Sequence, residues 1–276
     1  MKAELFLRLH KIPYELKVSS RPGPEGRWPW IEHNGNTICD SRRIIAYLQR
    51  CFLGSADAEA LTLSEAQLAL GTMLRRLCED SMYFFMLRHV LVDHVAWAHR
   101  HTTMNNVPDL FIGILYAHIR SGSIKTLNQT TIGDLTNEEY HREWLMSVRA
   151  VSAVLADKGR GGGVATVGPF ILGTAAPTSY DCVVYAHLAA LGEGGDGTDE
   201  LRCPAVDFVV QCPRITAYRA AMRQLLYPDW DALLEPERRK PLRDVAAAWT
   251  VGGLATTALS VVAALAAVAW SARQYA

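Results

Sequence analysis

Apolar and polar positions change period several times along the chain, and each change marks an element. Lys2–His10 reads as a short amphipathic helix, with Leu5, Leu9 and Ile12 spaced for one face. Tyr14–Ser19 alternates like a strand, and Arg21-Pro22-Gly23-Pro24-Glu25-Gly26 reads as a loop. Trp30–Glu32 and Thr37–Cys39 are short strands around Asn34-Gly35, a strong two-residue hairpin signal. Asp40-Ser41 then opens a helix whose Ile44, Ile45, Leu48 and Phe52 form the core face. From Thr62 onward the pattern is helical. Leu63–Thr103 is a long amphipathic run, followed by a helix around Leu110–Arg120 and another over Thr136–Asp157. Thr136 with Glu139, and Thr178 with Asp181, make capping boxes, the second starting the apolar helix Cys182–Leu191. Gly-rich loops at Lys158–Gly168 and Gly192–Gly197 separate these from the last helices, which run through Leu234.

The period disappears altogether near the C-terminus. Val245–Trp270 is 26 residues without an ionisable side chain. As a helix it spans about 39 Å, more than the roughly 30 Å hydrocarbon core of a bilayer. Trp249 and Trp270 bracket it, where indoles suit the two interfaces. Arg238, Arg239, Lys240 and Arg243 lie upstream and only Arg273 beyond, so the positive flank keeps the N-terminal bulk in the cytosol. The segment is expected to be a tail anchor. A buried Ala-rich core helix is the competing reading, which the length without charge disfavours. Ala248, Gly252, Thr256, Ser260 and Ala264 form a small-residue stripe that suits a protein partner or a second copy in the membrane. Moderate apolarity and a near-neutral end favour the mitochondrial outer membrane, with the endoplasmic reticulum or peroxisome as alternatives.

Charge narrows the field. Lys plus Arg and Asp plus Glu both total 28 in 276 residues, which argues against a nucleic-acid partner. The six cysteines form no CxxC pair, and the charged N-terminus lacks a signal-peptide stretch, so reduced thiols facing the cytosol are expected. His89, His94, His99 and His101 lie near Asp93. On a regular α-helix, however, neighbours five apart point away from each other, so a polar face is expected and no metal site. Met82, Tyr83, Phe84, Phe85 and Met86 are expected to pack between helices, or in part to line an apolar groove.

Several strings together resemble a known family. Lys11-Ile12-Pro13-Tyr14-Glu15-Leu16, Arg27-Trp28-Pro29-Trp30-Ile31-Glu32, Asn34-Gly35, Asp40-Ser41 and Tyr47-Leu48 resemble a glutathione-transferase N-terminal domain. Leu63-Ser64-Glu65-Ala66, Arg76-Leu77-Cys78-Glu79-Asp80, Tyr83, Ile132–Glu139, Pro169–Gly173 and Pro177–Asp181 resemble the failed axon connections family, whose relatives are the metaxins of outer-membrane import. The resemblance covers roughly residues 2–230. It implies a thioredoxin-like N-terminal domain over 1–55 and an all-helical glutathione-transferase-like domain over 60–234. A basic linker, 235–244, and the transmembrane segment, 245–270, complete the organisation. The fold class is thus α+β followed by all-α.

The resemblance also implies a ligand site. Pro29 matches the cis-proline of the glutathione site, which turns the backbone of Trp28 toward the cysteinyl part of the tripeptide. Asp40 and Ser41 match the acidic–Ser pair that receives the γ-glutamyl end. Either residue also serves as a plain helix cap, with or without ligand. Glutathione is the cofactor to test. Transferases of this fold begin with a strand and a loop bearing the Tyr, Ser or Cys that activates the thiol. Here Met1 already falls in the first helix, so the N-terminal domain is expected to lack that strand, at about 1–3 kcal/mol per backbone group left buried and unpaired. The expectation is a tail-anchored interaction or import-associated module without catalytic residues. A membrane-bound glutathione transferase with a shortened N-terminus is the alternative.

Overall fold

Burial of one face explains the first helix, α1 (Lys2–Leu9), in which Leu5 and Phe6 are fully enclosed. A computed structural model describes residues 1–17, 23–54, 61–95, 97–98, 109–156, 169–192 and 198–228, all within one compact unit, Met1–Pro228. β1 (Trp30–His33) and β2 (Asn36–Cys39) pair antiparallel with Trp30 opposite Cys39 and His33 opposite Asn36. Asn34 and Gly35 turn the hairpin with φ of 49° and 75°. Two successive positive φ values are what this two-residue turn requires, and Asn-Gly supplies them at least cost. α2 (Ser41–Phe52) lays Ile44 and Leu48 against Ala3, Phe6, Leu7 and Ile12, with Ile31 and Ile38 of the hairpin closing this core.

The strand expected over Tyr14–Ser19 is not made in its described part, Tyr14–Lys17. Residues 12–17 are irregular, and among the described residues the sheet has only β1 and β2. An alternating pattern needs a ladder partner to become a strand. The Tyr14 hydroxyl instead meets α1, donating to Glu4 at 3.0 Å and accepting from Arg8 at 2.8 Å.

The remainder is helical. Ser64 and Gln67 form a capping box that starts α3 (Glu65–Arg76). The chain continues through a π-helical turn (Leu77–Met82), α4 (Tyr83–Arg88) and a second π-helical turn (His89–Asp93). α5 (Asp109–Leu127) and the short α6 (Thr131–Asp134) lead to α7 (Asn137–Ala156), whose Thr136–Glu139 box forms as expected. Tyr140, Trp144, Val148, Val151 and Leu155 line its buried face. α8 (Ser179–Gly192) is enclosed from Asp181 to Ala189, which makes it the central helix. α9 (Pro204–Gln211) and α10 (Pro213–Leu226) each start at a proline, pre-set for the first helical turn.

Long polar side chains fix these helices to one another. Arg88 donates to the Ile132 and Leu135 carbonyls at 3.2 and 2.9 Å and to Asn137 at 2.7 Å, so it caps the α6–α7 corner. Tyr140 returns a hydrogen bond to the Phe85 carbonyl at 2.9 Å. No described helix is long and apolar enough to cross a membrane. The expected span 245–270, its linker and the loop 158–168 lie outside the described residues.

Candidate functional site

The hairpin ends and the start of α2 bring the expected ligand residues together. Trp28–Pro29 is a cis peptide, and the Pro29 carbonyl accepts the Asp40 amide at 2.9 Å, one step beyond the β1–β2 ladder. Asp40 holds φ 76° and caps α2, its Oδ1 accepting from the Arg42 amide at 2.9 Å and the Arg43 amide at 3.4 Å. Both capping bonds fall on one oxygen, so the cap does not use Oδ2. Capping and reception of a ligand's ammonium group are therefore compatible on this carboxylate. Ser41 follows at the first helical position and is buried, whereas Trp28 is 56% exposed.

Neighbouring groups shape the charge here. Arg43 is ion-paired with Glu25 of the preceding loop. Gly23 sits so close to the hairpin that a Cβ there would lie 2.5 Å from Cys39 Sγ, which is why this position takes glycine. Burial, and the charge of Asp40 to a lesser degree, raise the phenol of Tyr83 in α4. Its side chain is half-exposed, while Met82 and Phe85 are buried as expected. At the start of α1, Lys2 pairs with Glu79 at 3.0 Å, and burial pushes the adjacent Cys78 thiol up to about 12. These residues fit glutathione in one respect: an acidic acceptor lies beside the cis-Pro29 backbone.

The histidine cluster departs from the expectation. His89 and His94, five apart, lie with ring centroids 4.4 Å apart. The cause is the π-helical turn, where the His94 amide donates to the His89 carbonyl at 3.0 Å and so places i and i+5 on one side. His89 is buried, with Nε2 donating to the Leu201 carbonyl at 2.9 Å, and His141 of α7 lies 6.4 Å away, ring to ring. Burial lowers both His89 and His141. Among the described residues no group of three His, Cys, Asp or Glu side chains could hold a metal ion.

Comparison with known proteins agrees with the geometry. Residues 1–96 match the glutathione S-transferase N-terminal domain family. The chain is 24% identical over 247 residues to "Failed axon connections" of Drosophila melanogaster, covering 84% of this chain and 55% of that protein. The chain therefore spans about half the length of this relative. No solved structure matches. With its cis-Pro29 hairpin and helical remainder, the chain is similar to the failed axon connections, metaxin-like family of glutathione-transferase-fold proteins.

Proposed function

We propose that this protein is a glutathione-transferase-like interaction module, import-associated and held on the cytosolic face of the mitochondrial outer membrane by residues 245–270. The reading is carried by the likeness to Failed axon connections over 84% of this chain, on a fold whose expected ligand residue Asp40 is already engaged as the α2 cap. The charge-free, Trp-bracketed tail supports the membrane part. A fluorescent fusion of the full chain should ring mitochondria, and the same fusion lacking Val245–Ala276 should become diffuse. Retention of the shortened fusion on membranes would sink the anchor.

The Pro29–Asp40 juxtaposition favours one second reading, a glutathione-binding form of the same module. Calorimetric titration of the detergent-held full chain separates the two. Heat at millimolar glutathione that Asp40→Ala removes supports binding. No heat leaves the interaction module standing alone, and turnover of a model electrophile with glutathione overturns the non-catalytic reading.

A further inference from the structure

His89 is an ionisable side chain that is only 2% exposed and is bonded to a partner 112 residues away in sequence. It opens the π-helical turn His89–Asp93, and its Nε2 meets the Leu201 carbonyl at 2.9 Å, in the 3-10 turn Thr198–Leu201. A carbonyl oxygen only accepts, so Nε2 carries the hydrogen and the neutral ring keeps a bare lone pair on Nδ1. That Nδ1 is buried and has no hydrogen-bond partner among the described residues. Trp144 of α7 lies 5.1 Å away, ring to ring, and its Nε1 is likewise buried without a partner. An indole nitrogen only donates, so it cannot receive a hydrogen placed on Nδ1.

The other groups around the ring serve a cation there poorly. His94 packs with its ring centroid 4.4 Å from that of His89, and its Nδ1 donates to the His89 carbonyl at 2.9 Å. On α7, His141 lies 6.4 Å away and Tyr140 donates its hydroxyl to the Phe85 carbonyl. α5 brings Arg120, which donates to the Val92 carbonyl at 3.1 Å. Glu200, before Leu201, is exposed, and beyond Leu201 come Arg202, ion-paired with Asp207, and the buried Cys203. Asp93 is the carboxylate whose charge reaches the imidazole, and Arg88 pairs with it at 3.7 Å. Burial is the largest influence and lowers His89, and His94 and His141 add to it. The Leu201 bond and Asp93 work the other way without outweighing it.

We propose that His89 is an acid-sensitive latch: as the neutral imidazole it pins the Thr198–Leu201 turn to the π-helical turn, and as the imidazolium it releases that turn. Protonation adds a hydrogen at Nδ1, so the buried ring gains both a charge and a second donor with nothing to receive it. That donor finds its acceptor in water, and the ring reaches water by leaving Leu201. The two elements rejoin when the proton departs, so one proton governs one opening. The inference rests neither on the Asp40 site nor on residues 245–270.

Hydrogen–deuterium exchange of the detergent-held full chain, read by mass spectrometry and divided by the intrinsic rate at each pH, follows peptides spanning 83–94 and 198–211. Opening of both should grow about tenfold per pH unit as pH falls from about 6.5 toward the lower folded value, the slope of one proton. α2 should keep its protection over the same range. His89→Gln retains an amide N–H for Leu201 but does not titrate, so its corrected exchange in both peptides should not change with pH. His94→Gln removes a neighbouring positive charge, so its opening should begin at a higher pH than in wild type. The latch is overturned if His89→Gln keeps the acid response, or if α2 opens in parallel with the two peptides, which would report global unfolding. Should His89→Gln fail to fold, an onset in His94→Gln no higher than that of wild type overturns it as well.

Discussion

Asp181 is the most heavily committed carboxylate among the described residues, and replacing it tests how the helical part is held. It is fully buried in the first turn of α8. Its Oδ1 accepts the Ile171 amide at 2.7 Å and the Tyr218 hydroxyl at 3.1 Å. Its Oδ2 accepts the Thr178 amide and hydroxyl, both at 2.9 Å. Burial raises this carboxyl, and the four donors oppose the rise because every one of them favours the ionised form. In Asp181→Ala all four donors lose their acceptor. The two hydroxyls can turn elsewhere, but the two amides cannot, so the cost is about 2–6 kcal/mol at about 1–3 kcal/mol per orphaned group.

Asp181→Asn is the sharper variant. Its NH2 must face one of the two donor pairs, and in either orientation one backbone amide is orphaned, at about 1–3 kcal/mol. Thermal unfolding followed by circular dichroism reads this as a loss of about 3–9 °C, at about 3 °C per kcal/mol for a unit of this size. The sign of the pH dependence follows from the raised carboxyl. The native state holds the proton to higher pH than the unfolded chain, so this group favours folding in acid and loses that contribution as pH rises through its folded value. Asn at this position does not titrate, so the Asn penalty should grow as the buffer is made acidic. An Asp181→Asn protein as stable as wild type at neutral pH would refute the four-donor account, because it would mean the carboxyl already behaves as a neutral group.

Other substitutions read other parts of the fold. Burial lowers His89 and His187 below the ordinary 6.5, so their stabilising contribution is complete above that value and is lost as pH falls toward the folded ones. The urea midpoint should drop between about pH 7 and 5, less steeply in His89→Gln, and equal slopes would overturn this. Gly71→Ala removes a helix glycine yet should destabilise by about 1–3 kcal/mol. Its Cβ would sit 2.7 Å from the Tyr180 ring, and a gain in melting temperature would show that the ring yields freely. Asp40→Ala should cost about 1 kcal/mol through the lost α2 cap, and an unchanged melting temperature would mean the cap contributes nothing.

Local chemistry made much of the fold legible. The Asn34-Gly35 turn, the Thr136–Glu139 box and the apolar spacing of α7 each depend on neighbours within a few residues, and each element forms where its pattern lies. The family strings around Pro29 and Asp40 likewise mark residues that the hairpin brings together.

By itself, then, the sequence determined the hairpin, the helix starts, the core-facing stripes and the resemblance to the failed axon connections family, because those rest on backbone preference and short-range periodicity. Tertiary structure decided the rest. Tyr14–Lys17 alternates like a strand but has no ladder partner among the described residues, and pairing is a property of two segments. His89 and His94 share a side only because the helix widens into a π turn, which a 3.6-residue period cannot foresee. Tyr47 and His33 meet only because α2 packs beside the end of β1, 14 residues away from Tyr47 in sequence. Such meetings are set by how faces are buried against one another, and no single stretch of chain encodes them.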